Sequence, residues 1–170
     1  MRTRLLAILC CLSVLIYPAG SSAHSQVKKD RNDTRGELDL SRVQLSHDST
    51  HLFIRMQTFD AWRLRQLSAP NSLRVWFKRR NSAYFEVRTW HKRGRLRARV
   101  HKVVGNGYFA RGEARARKTG PRSLLLTVRR AKVRVWRQPV WFVTSSWYRG
   151  PCRESVCTDF APNSGRYHHR

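Results

Sequence analysis

Apolar side chains recur at every second residue through most of this chain, which is the pattern of β-strands that bury one face. In residues 73–78, Leu, Val and Phe alternate with Arg, Trp and Lys, and residues 52–57, 85–90 and 95–101 alternate in the same way. A helix would instead repeat its apolar residues every three to four positions, and no segment of any length does so. Turn residues such as Gly105-Asn106-Gly107 separate the runs. We therefore predict an all-β fold of about eight short strands.

Close turns between neighbouring strands favour antiparallel pairing, so the predicted architecture is an antiparallel β-sandwich that is jelly-roll-like. A bulge is expected near Ser41, and residues 61–67 could form a short helix or an irregular corner. Residues 140–148 are rich in aromatic and β-branched side chains. Because such residues suit a pleated, buried surface, this strand is predicted to lie centrally.

The first 23 residues have the three-part organisation of a secretory signal peptide. Arg2 and Arg4 precede an uncharged apolar stretch at residues 5–16, and small residues follow at 21–23. The alternative is a membrane anchor, but a spanning helix needs about 20 apolar residues and this stretch is shorter. We predict a secreted protein, either extracellular or associated with the cell wall.

No later segment is long and apolar enough to span a membrane, so no transmembrane segment is expected after signal cleavage. Residues 24–36 are polar and are predicted to be a flexible, exposed lead-in. Residues 37–163 show no break in composition and are predicted to form one β-sandwich domain. Residues 164–170 are predicted to be a C-terminal tail.

Cys152 and Cys157 are the two cysteines outside the predicted signal peptide. Four residues separate them, and an oxidising compartment would favour a small loop disulfide. The alternative is a metal or redox pair, but the spacing is not Cys-x-x-Cys and no second pair exists. We predict a disulfide that fixes the shape of the loop at residues 149–160.

The chain carries 35 lysine and arginine residues against 10 aspartate and glutamate residues, a formal net charge of +25. A field of this sign attracts anionic polymers, and nucleic acid would be bound only non-specifically. The alternative is that the charge reflects composition alone and covers a solvated surface. Charge informs solubility and association, and it says nothing about the fold.

The best functional signal is the side of the strands opposite the apolar residues. Arginine forks pair well with phosphate, sulfate and carboxylate groups, and flat tryptophan rings can stack on sugar rings or bases. The alternative is that arginine stems only cover the tryptophan rings. The predicted ligand-binding residues are Arg74, Trp76, Arg88, Trp90, Arg95, Arg97, Arg99, Arg111 and Arg115. The other tryptophans, predicted to be core or corner residues, are Trp62, Trp136, Trp141 and Trp147.

Several short motifs are shared with a group of known proteins. These motifs are Asp33-Thr34-Arg35-Gly36-x-Leu38-Asp39-Leu40, Val43-x-Leu45-Ser46-His47, Thr58-Phe59-x-x-Trp62 with Leu67, and Ala161-Pro162-Asn163. On these residues the chain resembles small secreted actinobacterial proteins, which are similar to DOMON-like and family 9 carbohydrate-binding-module-like β-sandwiches. The resemblance implies a jelly-roll-like sandwich and an extracellular location, and it implies no particular ligand.

The chain departs from those sandwiches at the turn after Phe77. Related domains often carry an Asp-rich turn there, whereas this chain has Lys78-Arg79-Arg80-Asn81. Because hard cations need several oxygen ligands, a basic turn repels them. No calcium site is expected at this turn.

No motif for catalysis, a cofactor or a metal is recognisable. His47, Asp48 and Ser49 are adjacent in sequence, and adjacency does not give the facing geometry of a catalytic triad. The carboxylates are scattered singly, although Asp30 and Asp33 could cap a loop near Asp159. We predict no enzyme activity, no cofactor and no metal.

Taken together, these features predict a secreted, non-catalytic β-sandwich module that binds an anionic or carbohydrate polymer. One alternative is a structural or assembly domain whose basic surface binds an acidic partner protein. A less favoured alternative is a hydrolase of an unrecognised kind, which would depend on His47 or Asp48.

Overall fold

The computed structural model describes residues 25–34, 36–78, 83–134, 139–149, 152, 155–161 and 167–168. Within these residues lie eleven strands, a 3-10 helix at Leu64–Leu67 and a one-turn α-helix at Arg130–Val133. The strands are β1 (Ser25–Lys29), β2 (Leu40–His47), β3 (His51–Thr58), β4 (Ser72–Lys78), β5 (Tyr84–Lys92), β6 (Arg95–Val104), β7 (Gly107–Gly120), β8 (Ser123–Arg129), β9 (Val140–Trp147), β10 (Cys157–Ala161) and β11 (Tyr167–His168). The predicted signal peptide, the basic turn at 79–82 and Trp136 lie outside the described residues.

The strands form one antiparallel sheet that is nearly closed into a barrel. Their order is β1-β2-β3-β8-β7-β6-β5-β4-β9-β10, with β11 paired to β9. Most neighbours are consecutive in the chain, and the pairings of β3 with β8 and of β4 with β9 are the long-range steps along this path. The predicted all-β antiparallel class is therefore confirmed.

The predicted alternation decides which side chains fill the interior. On β4, Leu73, Val75 and Phe77 are fully buried, whereas Arg74 and Trp76 between them are half-buried and point outward. A fully buried side chain of this size contributes about 1.5–3 kcal/mol relative to an exposed one. The predicted core or corner position of the other described tryptophans is confirmed, since Trp62, Trp141 and Trp147 are at most 5% exposed.

The lead-in predicted for residues 24–36 contains a strand. β1 pairs with β2 in antiparallel register, from Ser25 opposite Ser46 to Lys29 opposite Arg42. Four of its five side chains are polar, and its one apolar residue, Val27, is exposed, so it has no apolar periodicity from which the pairing could be predicted. Backbone hydrogen bonds along the free edge of β2 make this polar segment a strand.

Irregularities in two strands change which side chains face outward. The register shifts between Leu40 and Arg42, which confirms the bulge expected near Ser41. A second shift follows Val100, and it leaves Arg111 as an extra residue between Gly112 and Ala110. Such a bulge reverses the alternation, so Ala110 joins the outer face instead of the predicted inner one.

Gly112, at this second bulge, has a positive φ of 127°. A Cβ atom there would lie 3.1 Å from Nζ of Lys132. Because few residues other than glycine adopt this conformation, Gly112 is required for the bend of β7.

The two ends of the sheet approach each other where β10 meets β2. The backbone N–H of Leu40 donates a 2.7 Å hydrogen bond to Oδ2 of Asp159. The predicted disulfide between Cys152 and Cys157 is present, with 5.5 Å between their Cα atoms, and Cys157 is the first residue of β10. We call the junction of β2 and β10 the seam. None of the described helices is long and apolar enough to cross a membrane.

Candidate functional site

The outer sides of β4, β5 and β6 carry most of the predicted ligand-binding residues. Cross-strand register places Arg74 opposite Arg88, Arg88 opposite Arg99, and Trp90 opposite Arg97. Because residues paired across an antiparallel sheet project to the same face, these side chains form one surface. We call this surface the basic face, and its members are Arg74, Trp76, Arg88, Trp90, Arg95, Arg97 and Arg99.

Arg95, Arg97 and Arg99 are exposed and form a row along β6. Among the described residues, Arg95 and Arg97 have no carboxylate within ion-pair distance. Cζ of Arg99 lies 5.9 Å from the centroid of the Trp90 ring, so its guanidinium group lies over that ring, and the register partner of Arg99 is Glu113. This row therefore presents guanidinium groups that an anion in solution can reach.

Arg115 and Arg111 lie beyond this row on β7. Arg115 is exposed and pairs with Thr127 of β8, so it faces outward as predicted. Arg111 is the half-buried extra residue of the bulge and has no register partner on β6. Of the nine predicted positions, Arg111 is therefore the one that the alternation does not place.

Aromatic side chains continue the basic face toward the end of the sheet. The ring of Trp76 stacks on Phe142 with 5.9 Å between centroids and 8° between planes, and Tyr84 contacts both rings edge-on. The indole N–H of Trp76 donates a 3.0 Å hydrogen bond to Oγ1 of Thr144. Phe160, 49% exposed, stands opposite Thr144 on β10. These contacts hold the rings in fixed orientations.

The rings border a shallow, open groove of about 320 Å³. We call it the aromatic groove, and its lining residues are Arg74, Trp76, Tyr84, Phe142, Thr144, Ser146, Thr158 and Phe160. Sequence reasoning found Arg74 and Trp76 and missed the aromatic residues around them. The missed signal is the alternation within β9, which places Phe142 outward between the buried Trp141 and Val143.

Glu86 lies at the centre of the basic face and is fully buried. Nε of Arg88 donates a 3.1 Å hydrogen bond to its Oε1, Nε of Arg74 lies 3.5 Å from the same oxygen, and Nδ1 of His101 lies 3.5 Å from Oε2. Burial lowers the pKa of His101, against the effect of Glu86. The carboxylate therefore has its countercharge within the chain, and it fixes Arg74 and Arg88 in place.

A second group of carboxylates gathers beside the seam. Oxygen atoms of Asp33, Asp39 and Asp159 all lie within 4.8 Å of one another. Asp39 and Asp159 are 3% and 2% exposed, whereas Asp33 is exposed. No described N–H or O–H group donates a hydrogen bond to either carboxylate oxygen of Asp39, and a hydrogen bond between Asp39 and Asp159 requires a proton on one of the two. We call Asp33, Asp39 and Asp159 the acidic cluster.

The acidic cluster perturbs the protonation of its members. Burial, followed by the charge of Asp159, raises the pKa of Asp39 from 3.8 to about 7. Asp30 lies close by, and the same two causes raise its pKa to about 7. Burial also raises the pKa of Asp159, although the N–H of Leu40 opposes this effect. A proton on Asp39 or Asp30 therefore relieves part of the repulsion among these carboxylates.

The chain reaches this arrangement through a tight turn at Gly36, which has a positive φ of 137°. A Cβ atom at Gly36 would lie 2.6 Å from Cδ1 of Trp147, so the turn packs directly on that ring. The N–H of Asp39 donates to the carbonyl of Gly36, and its carbonyl accepts from the N–H of Phe59. Asp39 is thereby held with its carboxylate beside Asp159, which comes from the other end of the chain.

Asp48, which the hydrolase hypothesis names together with His47, lies in the turn between β2 and β3. Oδ1 of Asp48 accepts hydrogen bonds from the N–H groups of Thr50 and His51, at 2.7 and 2.6 Å, and closes the turn between β2 and β3. These bonds lower the pKa of Asp48. The contacts of Asp48 are those of a turn residue.

Comparisons of the chain with family models, with curated proteins and with solved structures find no match. The resemblance to DOMON-like and family 9 carbohydrate-binding-module-like sandwiches stays a prediction from the sequence motifs.

Proposed function

We propose that this protein is a secreted, non-catalytic module that binds an anionic carbohydrate polymer across the basic face and the aromatic groove. The observation that carries the proposal is their continuity, since Arg74 and Trp76 belong to both surfaces. A strand of sugars lying along this surface would meet rings at one end and free guanidinium groups at the other. Within the all-β antiparallel class, the jelly-roll-like sandwich predicted from the sequence remains part of this proposal.

Each part of the surface would supply a different interaction. Sugar rings would stack on Phe160 and on the exposed parts of the other aromatic rings that line the groove, because flat aromatic faces pack against the C–H faces of sugars. Carboxylate, sulfate or phosphate groups on the polymer would pair with Arg95, Arg97 and Arg99. Affinity should therefore fall as salt is added, because salt screens the attraction between exposed charges. The Debye length is about 8 Å at physiological ionic strength.

A binding role fits the surroundings of Glu86 better than a catalytic role does. A general acid or nucleophile has to reach its substrate, whereas Glu86 is fully buried beneath Arg74, Arg88 and His101. Its contacts make it a positioning residue for the arginines. The groove itself is open and shallow, which suits one face of an extended polymer.

The proposal is tested with two triple variants that remove the same charge from different faces. One variant carries Arg95→Gln, Arg97→Gln and Arg99→Gln on the basic face. The control carries Arg42→Gln, Arg55→Gln and Arg117→Gln, which are exposed on the outer side of β2, β3 and β7. Binding to polygalacturonate and to neutral dextran is measured by affinity electrophoresis at several salt concentrations.

We expect the basic-face variant to lose at least about tenfold in affinity for polygalacturonate, and the control to lose about twofold or less. Phe160→Ala should weaken binding to polygalacturonate and leave binding to inorganic polyphosphate unchanged, because polyphosphate has no ring to stack. Equal losses in the two triple variants would mean that net charge alone drives binding. Failure to bind any polymer, with co-purification of an acidic protein, would favour the assembly role.

A further inference from the structure

The acidic cluster contains a buried carboxylate whose charge nothing in the described chain balances. Asp39 is 3% exposed, and neither of its oxygens accepts a hydrogen bond from the described residues. Burying an ionised carboxylate without a partner is costly, so native proteins almost always supply a donor, a cation or a proton. The oxygens of Asp39 instead face the carboxylates of Asp33 and Asp159.

The chain concentrates scarce carboxylates at this place. It has 10 aspartate and glutamate residues in all, and four of them, Asp30, Asp33, Asp39 and Asp159, gather here from both ends of the chain. At Glu86 the same protein pairs one buried carboxylate with Arg74, Arg88 and His101. Arginine is abundant, yet no described arginine or lysine forms an ion pair with the two buried members, Asp39 and Asp159.

We propose that Asp33, Asp39 and Asp159 bind a hard divalent cation of the size of Ca²⁺. Carboxylate oxygens are the ligands that such ions prefer, at 2.3–2.6 Å from the metal, so two ligands on opposite sides of one ion are about 5 Å apart. The separations of up to 4.8 Å within the acidic cluster fit a single ion. Asp33 is exposed and gives the ion access from solvent, whereas Asp39 and Asp159 hold it from the inside.

The bound cation would join the two ends of the sheet. Asp39 directly precedes β2, Asp159 lies within β10, and Asp159 also accepts the hydrogen bond from Leu40 across the seam. A cation shared by these residues would replace repulsion with attraction at the point where the sheet closes. The net charge of +25 opposes cation binding at long range, but salt screens distant charges and the three nearby carboxylates dominate.

The test measures the thermal stability of the full chain after chelation, with CaCl₂, MgCl₂ or extra NaCl added back at 150 mM background salt. Ligand binding to the folded state raises Tm by mass action, so CaCl₂ between about 0.1 and 10 mM should raise it. The ring of Trp147 packs against Gly36, in the turn that leads to Asp39. Tb³⁺ bound at the site should therefore show luminescence sensitised by tryptophan. Excess Ca²⁺ should displace that signal.

Asp39→Asn should abolish the response of Tm to CaCl₂, and the exposed Asp33→Asn should weaken Ca²⁺ affinity by at least about tenfold without affecting folding. Asp60→Asn removes an exposed carboxylate elsewhere and should respond like wild type. The proposal would be overturned if CaCl₂ left the Tm of wild type unchanged, or if it raised the Tm of Asp33→Asn and Asp39→Asn as much as that of wild type. In the first of these outcomes, a proton shared between Asp39 and Asp159 would be the remaining explanation.

Discussion

Glu86 and Asp39 are both almost inaccessible to solvent, at 0% and 3% exposure, yet their surroundings are opposite in charge. Glu86 lies among Arg74, Arg88 and His101, whereas Asp39 lies among other carboxylates. At the first site, neighbouring strands supply the countercharges, and Oε1 of Glu86 accepts a hydrogen bond from Arg88, although Oε2 and Nδ1 of His101 have no hydrogen-bond partner among the described residues. At the second, no described lysine or arginine forms an ion pair with Asp39 or Asp159, although the chain has 35 such residues.

The difference shows that the effect of a buried carboxylate on stability depends on the charges around it. A carboxylate that is paired inside the protein leaves no uncompensated buried charge, so removing either partner destabilises the folded state. A carboxylate that faces other carboxylates destabilises the folded state until a proton or cation arrives. Substitutions that remove the negative charge should therefore have opposite signs at the two sites.

The largest effect is expected at the basic face. Glu86→Gln leaves Arg74, Arg88 and His101 close together without their shared carboxylate, and breaking a buried pair in this way should cost about 3 kcal/mol in free energy of unfolding. Urea denaturation measures this loss. Glu113→Gln, an exposed residue opposite Arg99, is the matched control and should change stability by less than about 0.5 kcal/mol. Similar losses in free energy of unfolding for both variants would show that the charge of Glu86 does not stabilise the arginines around it.

A smaller effect of opposite sign is expected at the acidic cluster. With chelator present at pH 8, Asp39→Asn removes a buried charge and its repulsion of Asp159, so it should stabilise the protein by about 1 kcal/mol, or a few degrees in Tm. Calorimetry measures the change, with Asp60→Asn as the control. A destabilised Asp39→Asn variant under these conditions would remove the contrast with Glu86.

Local rules predicted most of the strands but not the two ends of the sheet. In β3 to β6, apolar and polar side chains alternate within each strand, so the sequence of each strand was enough to predict which side is buried. β1 has no apolar side of its own, and its place depends on the free edge of β2. The bulge at Arg111 was missed because no turn residue marks it except Gly112, which fitted the predicted alternation as a small inward residue.

The candidate sites were predictable to the extent that they lie on single strands. The arginine row of β6 follows from alternation alone. Glu86 resembled an ordinary outward residue, and its burial arises only when Arg74, Arg88 and His101 from three strands cover it. The acidic cluster brings together Asp39 and Asp159, which are 120 positions apart in the sequence. No local sequence pattern predicts a contact between residues so far apart.

The finest test of the comparison is its dependence on pH. Burial and Asp159 raise the pKa of Asp39 from 3.8 to about 7, so between these values the folded state binds a proton that the unfolded state has released. The resulting stability is complete below about pH 4 and is lost as the pH rises through 7. In chelator, the Tm of wild type relative to Asp39→Asn should therefore fall from pH 5 to pH 8. A difference that stays constant over this range would mean that Asp39 is already ionised at pH 5. The Tm of Glu86→Gln provides the contrast, because Arg74 and Arg88 keep their charge throughout this pH range. His101 is the member of that site that titrates, and because burial lowers its pKa, any pH dependence of the deficit should lie at the acidic end of the range.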